Sequence, residues 1–174
     1  MRKKPITILG INPGSKYLGI ARLEDSVLMD WRIRALKGRW SREKMFKVKT
    51  IISCLVEQYR PYALAIKKLN SRRSSPELDE MANQIITFAA DRNIRVYEYS
   101  INDLESFLSP DKKINKKKLS EIITLKYPIL YHELAKEKNS LNPYHIRMFE
   151  AVALGAVCFH QLDNPHGIWN YPTG

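Results

Sequence analysis

The sequence predicts an α/β fold in which helices flank a mixed five-stranded sheet, within a single domain over residues 1–164. Two observations support this fold class. Five apolar runs of strand length recur along the chain, and segments with helical periodicity lie between and after the later runs. The chain of 174 residues contains 44% hydrophobic residues, which is enough to bury one proper core. Residues 165–174 are predicted to form an extended tail.

The chain opens on two apolar runs of strand length, joined by the turn sequence NPGS at residues 12–15. Pro13 fixes one φ angle of this turn, and Gly14 can supply a positive φ. Gly10 and Gly19 flank the turn and leave room for a ligand or another backbone to approach. The sequence therefore predicts a hairpin whose turn is open to close contact.

The remaining elements follow from apolar spacing and from helix-start residues. Ser41 and Ser75 are N-cap residues, and Pro76 suits the first helical position. Residues 109–118 are predicted to be a charged loop with five lysines. The predicted elements are a strand at 27–36, a helix at 41–59, a fully apolar and therefore central strand at 62–66, a helix at 75–92, a strand at 94–99, a short helix at 102–107, a helix at 119–127, one or two helical turns at 131–138, and a long helix from Pro143 to Leu162.

The charge balance favours an acidic partner. Lys and Arg number 29 against 18 Asp and Glu, which gives a net charge of +11. Such a field attracts nucleic acid, acidic membranes or acidic proteins, and we expect nucleic acid. Because no apolar run is long enough to span a bilayer, we expect no membrane association.

The expected compartment is the cytoplasm, where thiols stay reduced. No signal peptide is predicted at the start of the sequence. Cys54 and Cys158 lie in apolar helical contexts, which is typical of buried thiols and not of a disulfide or zinc site.

Three motifs resemble the RuvC-type Holliday-junction resolvases of the RNase H-like superfamily. GINPGSKYLGIA resembles their first strand and turn, YALAIKKLN resembles the strand that carries the next acid, and FEAVALGAVCFH is similar to the last-helix segment that completes the site. The motifs occur in the family's order, and the likeness covers most of residues 5–162. It implies an RNase H-like fold, and a homodimer is possible because the family usually forms one.

The resemblance implies an active site in which four side chains, mostly carboxylates, hold two divalent metals. Carried over residue by residue, these positions fall on Asn12, Lys67, Arg147 and Glu150. Only Glu150 is acidic, and the formal charge of the four side chains is about +1, which repels the cation that the chemistry needs.

A shift in the alignment does not restore the missing acids, because residues 1–23 and 60–75 contain no Asp or Glu. The sequence therefore predicts a divergent, degenerate member of the family, a pseudoenzyme with no catalytic residue and no metal or other cofactor. A Mg²⁺ or Mn²⁺ cofactor is expected only if the site has rearranged around other ligands.

Lys67 has two alternative placements. It either forms an ion pair with Glu150 that bridges the centre of the fold, or points to solvent at the end of its strand. Asn12 can hydrogen-bond to the same cluster. The sequence leaves these alternatives open.

Two basic segments are candidate nucleic-acid contacts, although a run of charge is also typical of a solvated face. Arginine pairs bind phosphate bidentately and lysine runs bind it through counterion release. Ser71, Ser74 and Ser75 can add phosphate contacts at a helix start. The candidates are Lys67, Lys68, Arg72 and Arg73 in the first segment, and Lys112, Lys113, Lys116, Lys117 and Lys118 in the second.

The leading hypothesis is a non-catalytic, RuvC-like protein that binds branched DNA or structured RNA through backbone charge. One alternative is a metal-dependent, structure-selective endonuclease that uses Glu150 with other ligands. A second alternative is a scaffold for an acidic protein partner. Trp31, Trp40 and Trp169 are candidates for base stacking, but the sequence favours core or tail packing for each of them.

Overall fold

A computed structural model of this protein describes residues 3–70, 72–138, 144–167 and 169. These residues form a five-stranded sheet with helices on both faces. Its strands are β1 (Thr7–Asn12), β2 (Tyr17–Glu24), β3 (Val27–Ala35), β4 (Ala63–Lys67) and β5 (Arg95–Tyr99). Their order across the sheet is β3-β2-β1-β4-β5. β1, β2 and β3 pair antiparallel, whereas β4 runs parallel to both β1 and β5. The predicted mixed five-stranded sheet is confirmed.

Helices cover both faces of this sheet. They are α1 (Arg42–Tyr59), α2 (Pro76–Asp91), α3 (Ile101–Leu108), α4 (Lys116–Lys126), α5 (Tyr131–Lys138) and α6 (Tyr144–Asp163), with a short 3-10 turn at Pro128–Leu130. Alternate side chains of the central strands point to opposite faces. Leu9 and Leu64 pack with α1 and α2, whereas Ile8 and Ala65 pack with α3 to α6.

The predicted helix starts at Ser41 and Ser75 are confirmed. The Ser41 hydroxyl accepts a hydrogen bond from the Lys44 amide at 3.1 Å, and the Ser75 hydroxyl accepts one from the Leu78 amide at 3.2 Å. Each cap satisfies one of the amides that a first turn leaves without a partner. The sequence also predicts the apolar face of each of these helices, because apolar residues recur every three or four positions along them.

Gly10 and Gly19 let the backbone of α6 lie directly on the hairpin. A Cβ atom at Gly10 would lie 2.1 Å from the carbonyl oxygen of Ala151, and one at Gly19 would lie 2.3 Å from that of Arg147. The predicted room beside the turn is therefore taken by another backbone. This close approach brings the first turns of α6 against the end of β1.

Replacing Gly10 with alanine is expected to lower the free energy of unfolding by about 1–3 kcal/mol, because the added methyl group overpacks the sheet against α6. Urea unfolding followed by circular dichroism measures the change. Ser15→Ala in the exposed turn is the matched control and should stay within about 0.5 kcal/mol of the parent protein. An unchanged stability for Gly10→Ala would contradict the close approach.

Gly14 does not have the predicted positive φ, since the positive-φ glycine among the described residues is Gly38. Gly14 is needed for space instead. A Cβ atom there would lie 2.6 Å from the carbonyl oxygen of Tyr17 and 3.1 Å from the guanidinium carbon of Arg147. The turn thus has a helix side chain packed against it.

The predicted loop at residues 109–118 is wrong at its end, because Lys116 to Lys118 form the first turn of α4. The Asn115 side chain caps this helix and accepts a hydrogen bond from the Lys118 amide at 2.8 Å. Three lysines at a helix start oppose the helix dipole, so their charge alone disfavours a helix at this position.

The prediction that both cysteines are buried is wrong for Cys54, which is exposed, and right for Cys158. Burial raises the pKa of the Cys158 thiol to about 12. Cys54 lies on the solvent side of α1, at a position where the apolar spacing of the helix does not place it in the core.

Part of the chain falls outside this description. Ser71, Pro143 and most of the predicted tail lie outside the described residues. Trp169 is described and is buried, and its ring lies 5.9 Å from that of Phe107 in an edge-to-face contact. This tail residue therefore packs onto the domain. Within the described ranges, no helix is long and apolar enough to cross a membrane.

Candidate functional site

A buried polar cluster lies where the ends of β1 and β4 meet α6. Because β1 and β4 are parallel neighbours, Asn12 and Lys67 end at the same edge of the sheet. One oxygen of Glu150, Oε2, accepts hydrogen bonds from Asn12 Nδ2 at 2.7 Å and from Lys67 Nζ at 2.8 Å. Of the two alternatives for Lys67, the ion pair with Glu150 is the one that forms.

This cluster is shielded from solvent. Asn12 is fully buried, and the side chains of Glu150 and Lys67 are 1% and 14% exposed. Asn12 Nδ2 also donates to the carbonyl oxygen of Arg147 at 3.2 Å, which ties β1 to α6. A buried ion pair with neutral hydrogen-bond partners holds its geometry but adds little net stability over an apolar replacement.

Lys116, at the start of α4, is a further partner that the sequence did not predict. Its Nζ lies 3.7 Å from Glu150 Oε1, which has no hydrogen bond among the described residues. The Lys116 side chain is 55% exposed, so this pair contributes little to stability. Two lysines from separate elements thus converge on one carboxylate.

Arg147 lies beside this cluster without a carboxylate of its own. Its guanidinium carbon is placed against the turn at Gly14, which has no side chain to displace it. Within the described part of the chain, Arg147 forms no ion pair, and neither does Lys68 or Arg73. These three cations are therefore available to an external anion.

Above the cluster, a cleft of about 560 Å³ opens between α6, α4 and the starts of α2 and α3. Five cationic side chains line it against a single carboxylate, that of Asp103, which caps α3. Its lining residues are Lys67, Lys68, Leu69, Asn70, Arg73, Ser74, Leu78, Ser100, Ile101, Asn102, Asp103, Lys116 and Arg147. An excess of cations with hydroxyl and amide groups suits the oxygens of a phosphate backbone.

The first predicted basic segment contributes three of its four residues to this cleft. Lys67, Lys68 and Arg73 line it, whereas Arg72 is exposed and does not. The backbone amide of Arg72 donates to the side chain of Asn70, which turns the loop at this point.

The second predicted segment does not act as one surface. Lys116 lines the cleft, whereas Lys118 forms an ion pair with Glu121 at 3.5 Å. Lys117 is exposed and does not line the cleft. Lys112 and Lys113 are exposed and do not line the cleft. Because Lys116 begins a helix, successive side chains point in different directions around its axis.

Sequence reasoning missed the residues that reach the cleft from α3. Ser100 and Asn102 line it, and Ser100 caps α3 by accepting a hydrogen bond from the Asp103 amide at 3.0 Å. The pattern S-x-x-D before an apolar residue is a capping-box sequence that marks this helix start. Its position beside β4 depends on the sheet order, which the sequence shows only indirectly.

The four positions that correspond to the metal ligands of the resolvase family do not fit a divalent cation. Glu150 is their one carboxylate, and the ammonium group of Lys67 lies 2.8 Å from it. Hard cations need several anionic oxygen ligands, which this cluster lacks. Elsewhere in the described ranges, no group of three or more His, Cys, Asp or Glu side chains is placed to hold a metal.

Comparison with solved structures identifies the architecture. The RuvC structure of Thermus thermophilus matches with a TM-score of 0.68 and 15% identity over 91% of this chain and 96% of that chain. This chain has the RuvC fold. The yeast mitochondrial Holliday junction resolvase matches with a TM-score of 0.65 and 13% identity, over 95% of this chain and 83% of its own.

A third RuvC-fold structure, the Fowlpox virus resolvase solved with Holliday junction DNA, matches with a TM-score of 0.57 and 15% identity over 88% of this chain and 99% of that chain. No protein-family model and no curated protein matches the sequence. Identities this low support the fold alone. The predicted RNase H-like, RuvC-like architecture is confirmed.

Proposed function

We propose that this chain binds branched nucleic acid through phosphate contacts in the cationic cleft and does not cleave it by metal-dependent chemistry. The observation that carries the proposal is the cleft itself. Five cations line it above a carboxylate already paired with Lys67. Two neighbours of the same fold, from Thermus thermophilus and Fowlpox virus, were solved with Holliday junction DNA, which supports branched DNA as the ligand.

The binding half of the proposal rests on unpaired charge. Lys68, Arg73 and Arg147 have no carboxylate partner among the described residues, so their charge is not neutralised internally. Each phosphate they contact releases condensed counterions, which favours association at low salt. Contacts of this kind recognise the shape of a backbone and not its sequence.

The non-catalytic half rests on the polar cluster beneath the cleft. The Oε2 atom of Glu150 accepts hydrogen bonds from both Asn12 and Lys67. A metal ion would have to displace the buried ammonium group of Lys67 to reach this oxygen. The ammonium group of the Lys67 side chain thus supplies a positive charge near the base of the cleft.

The proposal is tested by the fluorescence anisotropy of a labelled four-way DNA junction, a plain duplex and a single-stranded RNA, each titrated across salt concentrations. We expect the junction to bind more tightly than the duplex, with a log–log salt slope of at least about 2.7 in magnitude for the three unpaired cations. Equal affinity for all three would indicate a merely basic protein. No binding at low salt would overturn the proposal and favour an acidic protein partner.

Replacing the three non-acidic side chains of the four family positions with acids is expected to create a metal site. In the triple variant Asn12→Asp, Lys67→Glu, Arg147→Asp, four carboxylates replace one, which supplies the oxygen ligands that Mn²⁺ needs. Isothermal titration with Mn²⁺ should show binding to the folded triple variant and none to the parent protein. Mn²⁺ binding to the parent at similar affinity would favour the rearranged-nuclease alternative instead.

A further inference from the structure

A second, smaller groove lies beside the first turn of α6, between β3 and α5. Its volume is about 270 Å³, and its walls include Trp31, Tyr144 and His145. Pockets for drug-sized ligands are usually larger, from about 300 Å³ upward, so this groove suits a single ring system. None of these three residues belongs to the cationic cleft.

The rings of this groove are held in place by their neighbours. Tyr144 makes edge-to-face contacts with Tyr17, at 5.0 Å between ring centroids, and with His145, at 4.9 Å. His145 Nδ1 lies 3.3 Å from a carboxylate oxygen of Glu133 on α5. Aromatic side chains fixed in this way lose little conformational freedom when a flat ligand binds.

The groove differs from the cleft in its charge. Two cations line the groove, and both have an acidic partner. Lys136 is paired with Glu133 at 3.4 Å, and Arg32 donates a hydrogen bond to Asp30 at 3.0 Å. The cleft has unpaired cations, whereas the groove is close to neutral and combines aromatic walls with polar edges. An uncharged, flat ring with hydrogen-bonding edges is the ligand that matches such a lining.

The two sites are neighbours on one helix. Tyr144 faces the groove and Arg147 lines the cleft, three residues later on α6. Positions three residues apart are adjacent on a helix surface and differ by about 4.5 Å along its axis. A strand whose phosphate lies at Arg147 therefore has an adjoining nucleotide within reach of Tyr144.

We propose that the groove binds one unpaired nucleobase at the branch point of the nucleic acid held in the cleft, stacked on the aromatic wall that Tyr144 forms. This inference rests on the proposed function and adds a site for a base to a site for phosphates. The base contributes through stacking, so the groove tolerates any of the four bases.

The test compares a forked DNA that carries one unpaired base at the branch with the same fork carrying an abasic residue there. The parent protein should bind the intact fork about 5- to 150-fold more tightly, the range for one base stacked on an aromatic side chain. Tyr144→Leu should lose this difference, and Tyr144→Phe should keep it. A 2-aminopurine at the unpaired position should be quenched by the parent and by Tyr144→Phe but not by Tyr144→Leu.

Affinity for a plain duplex separates the two proposals. Tyr144→Leu should bind the duplex as the parent does, because the duplex has no unpaired base. Equal binding of intact and abasic forks by the parent would overturn the nucleobase site while leaving the cleft intact. Loss of duplex binding in Tyr144→Leu would also overturn it, because the substitution would then act on the cleft and not on an unpaired base. Failure of the parent to bind any of these DNAs would overturn the proposed function as well.

Discussion

Replacing Glu150 with leucine is expected to lower the free energy of unfolding by about 3–5 kcal/mol, one of the largest effects of any single change in this chain. Glu150 is buried, and its Oε2 atom accepts hydrogen bonds from both Lys67 and Asn12. Its removal leaves a mostly buried ammonium group without a counter-charge and an amide with one fewer acceptor. Urea unfolding at neutral pH measures the loss.

The double variant Glu150→Leu, Lys67→Met tests the cause of that loss. It removes both charges and keeps the side-chain volume, so stability should return to within about 1–2 kcal/mol of the parent. Glu57→Gln on the exposed face of α1 is the control for loss of an acid and should be neutral. A double variant no more stable than Glu150→Leu would show that packing, and not the ion pair, holds the cluster.

Neutralising the unpaired cations of the cleft is expected to weaken junction binding more than about ten-fold at moderate salt. The variant is Lys68→Gln, Arg73→Gln, Arg147→Gln. Removing three phosphate contacts should also reduce the magnitude of the log–log salt slope by about 2.7. Anisotropy titrations of the four-way junction across salt concentrations measure both quantities.

The matched control places the same three charge changes on α1. Arg42, Lys47 and Lys49 are exposed there, and their replacement by glutamine gives a protein of the same net charge. This control should keep most of the affinity and most of the slope. If both variants lose equal affinity, the overall charge of the protein drives binding and the cleft has no special role.

Much of the fold follows from local patterns in the sequence. The central strand β4 is apolar over residues 63–66 because both of its faces are covered by helices. Ser41 and Ser75 mark helix starts because their hydroxyls accept hydrogen bonds from amides that the first turn leaves free. These patterns act over a few residues, so the sequence contains all the information needed to read them.

Contacts between distant elements were harder to predict. The sequence placed Lys67 and Glu150 in one cluster through a resemblance, but it left the ion pair and a solvent-exposed lysine as alternatives. Lys116 joins the same carboxylate only because α4 packs beside α6, which no local pattern specifies. The lysine run at residues 112–118 looked like one surface because the start of α4 was read as a loop.

The most direct test of the central claim is to measure junction binding and junction cleavage together, with EDTA and then with Mg²⁺ or Mn²⁺. Because the cations of the cleft are side chains, we expect junction binding tighter than duplex binding in EDTA, and intact junction under every condition. Cleavage that requires Mn²⁺ and disappears in Glu150→Gln would contradict the account. So would a junction affinity that EDTA abolishes.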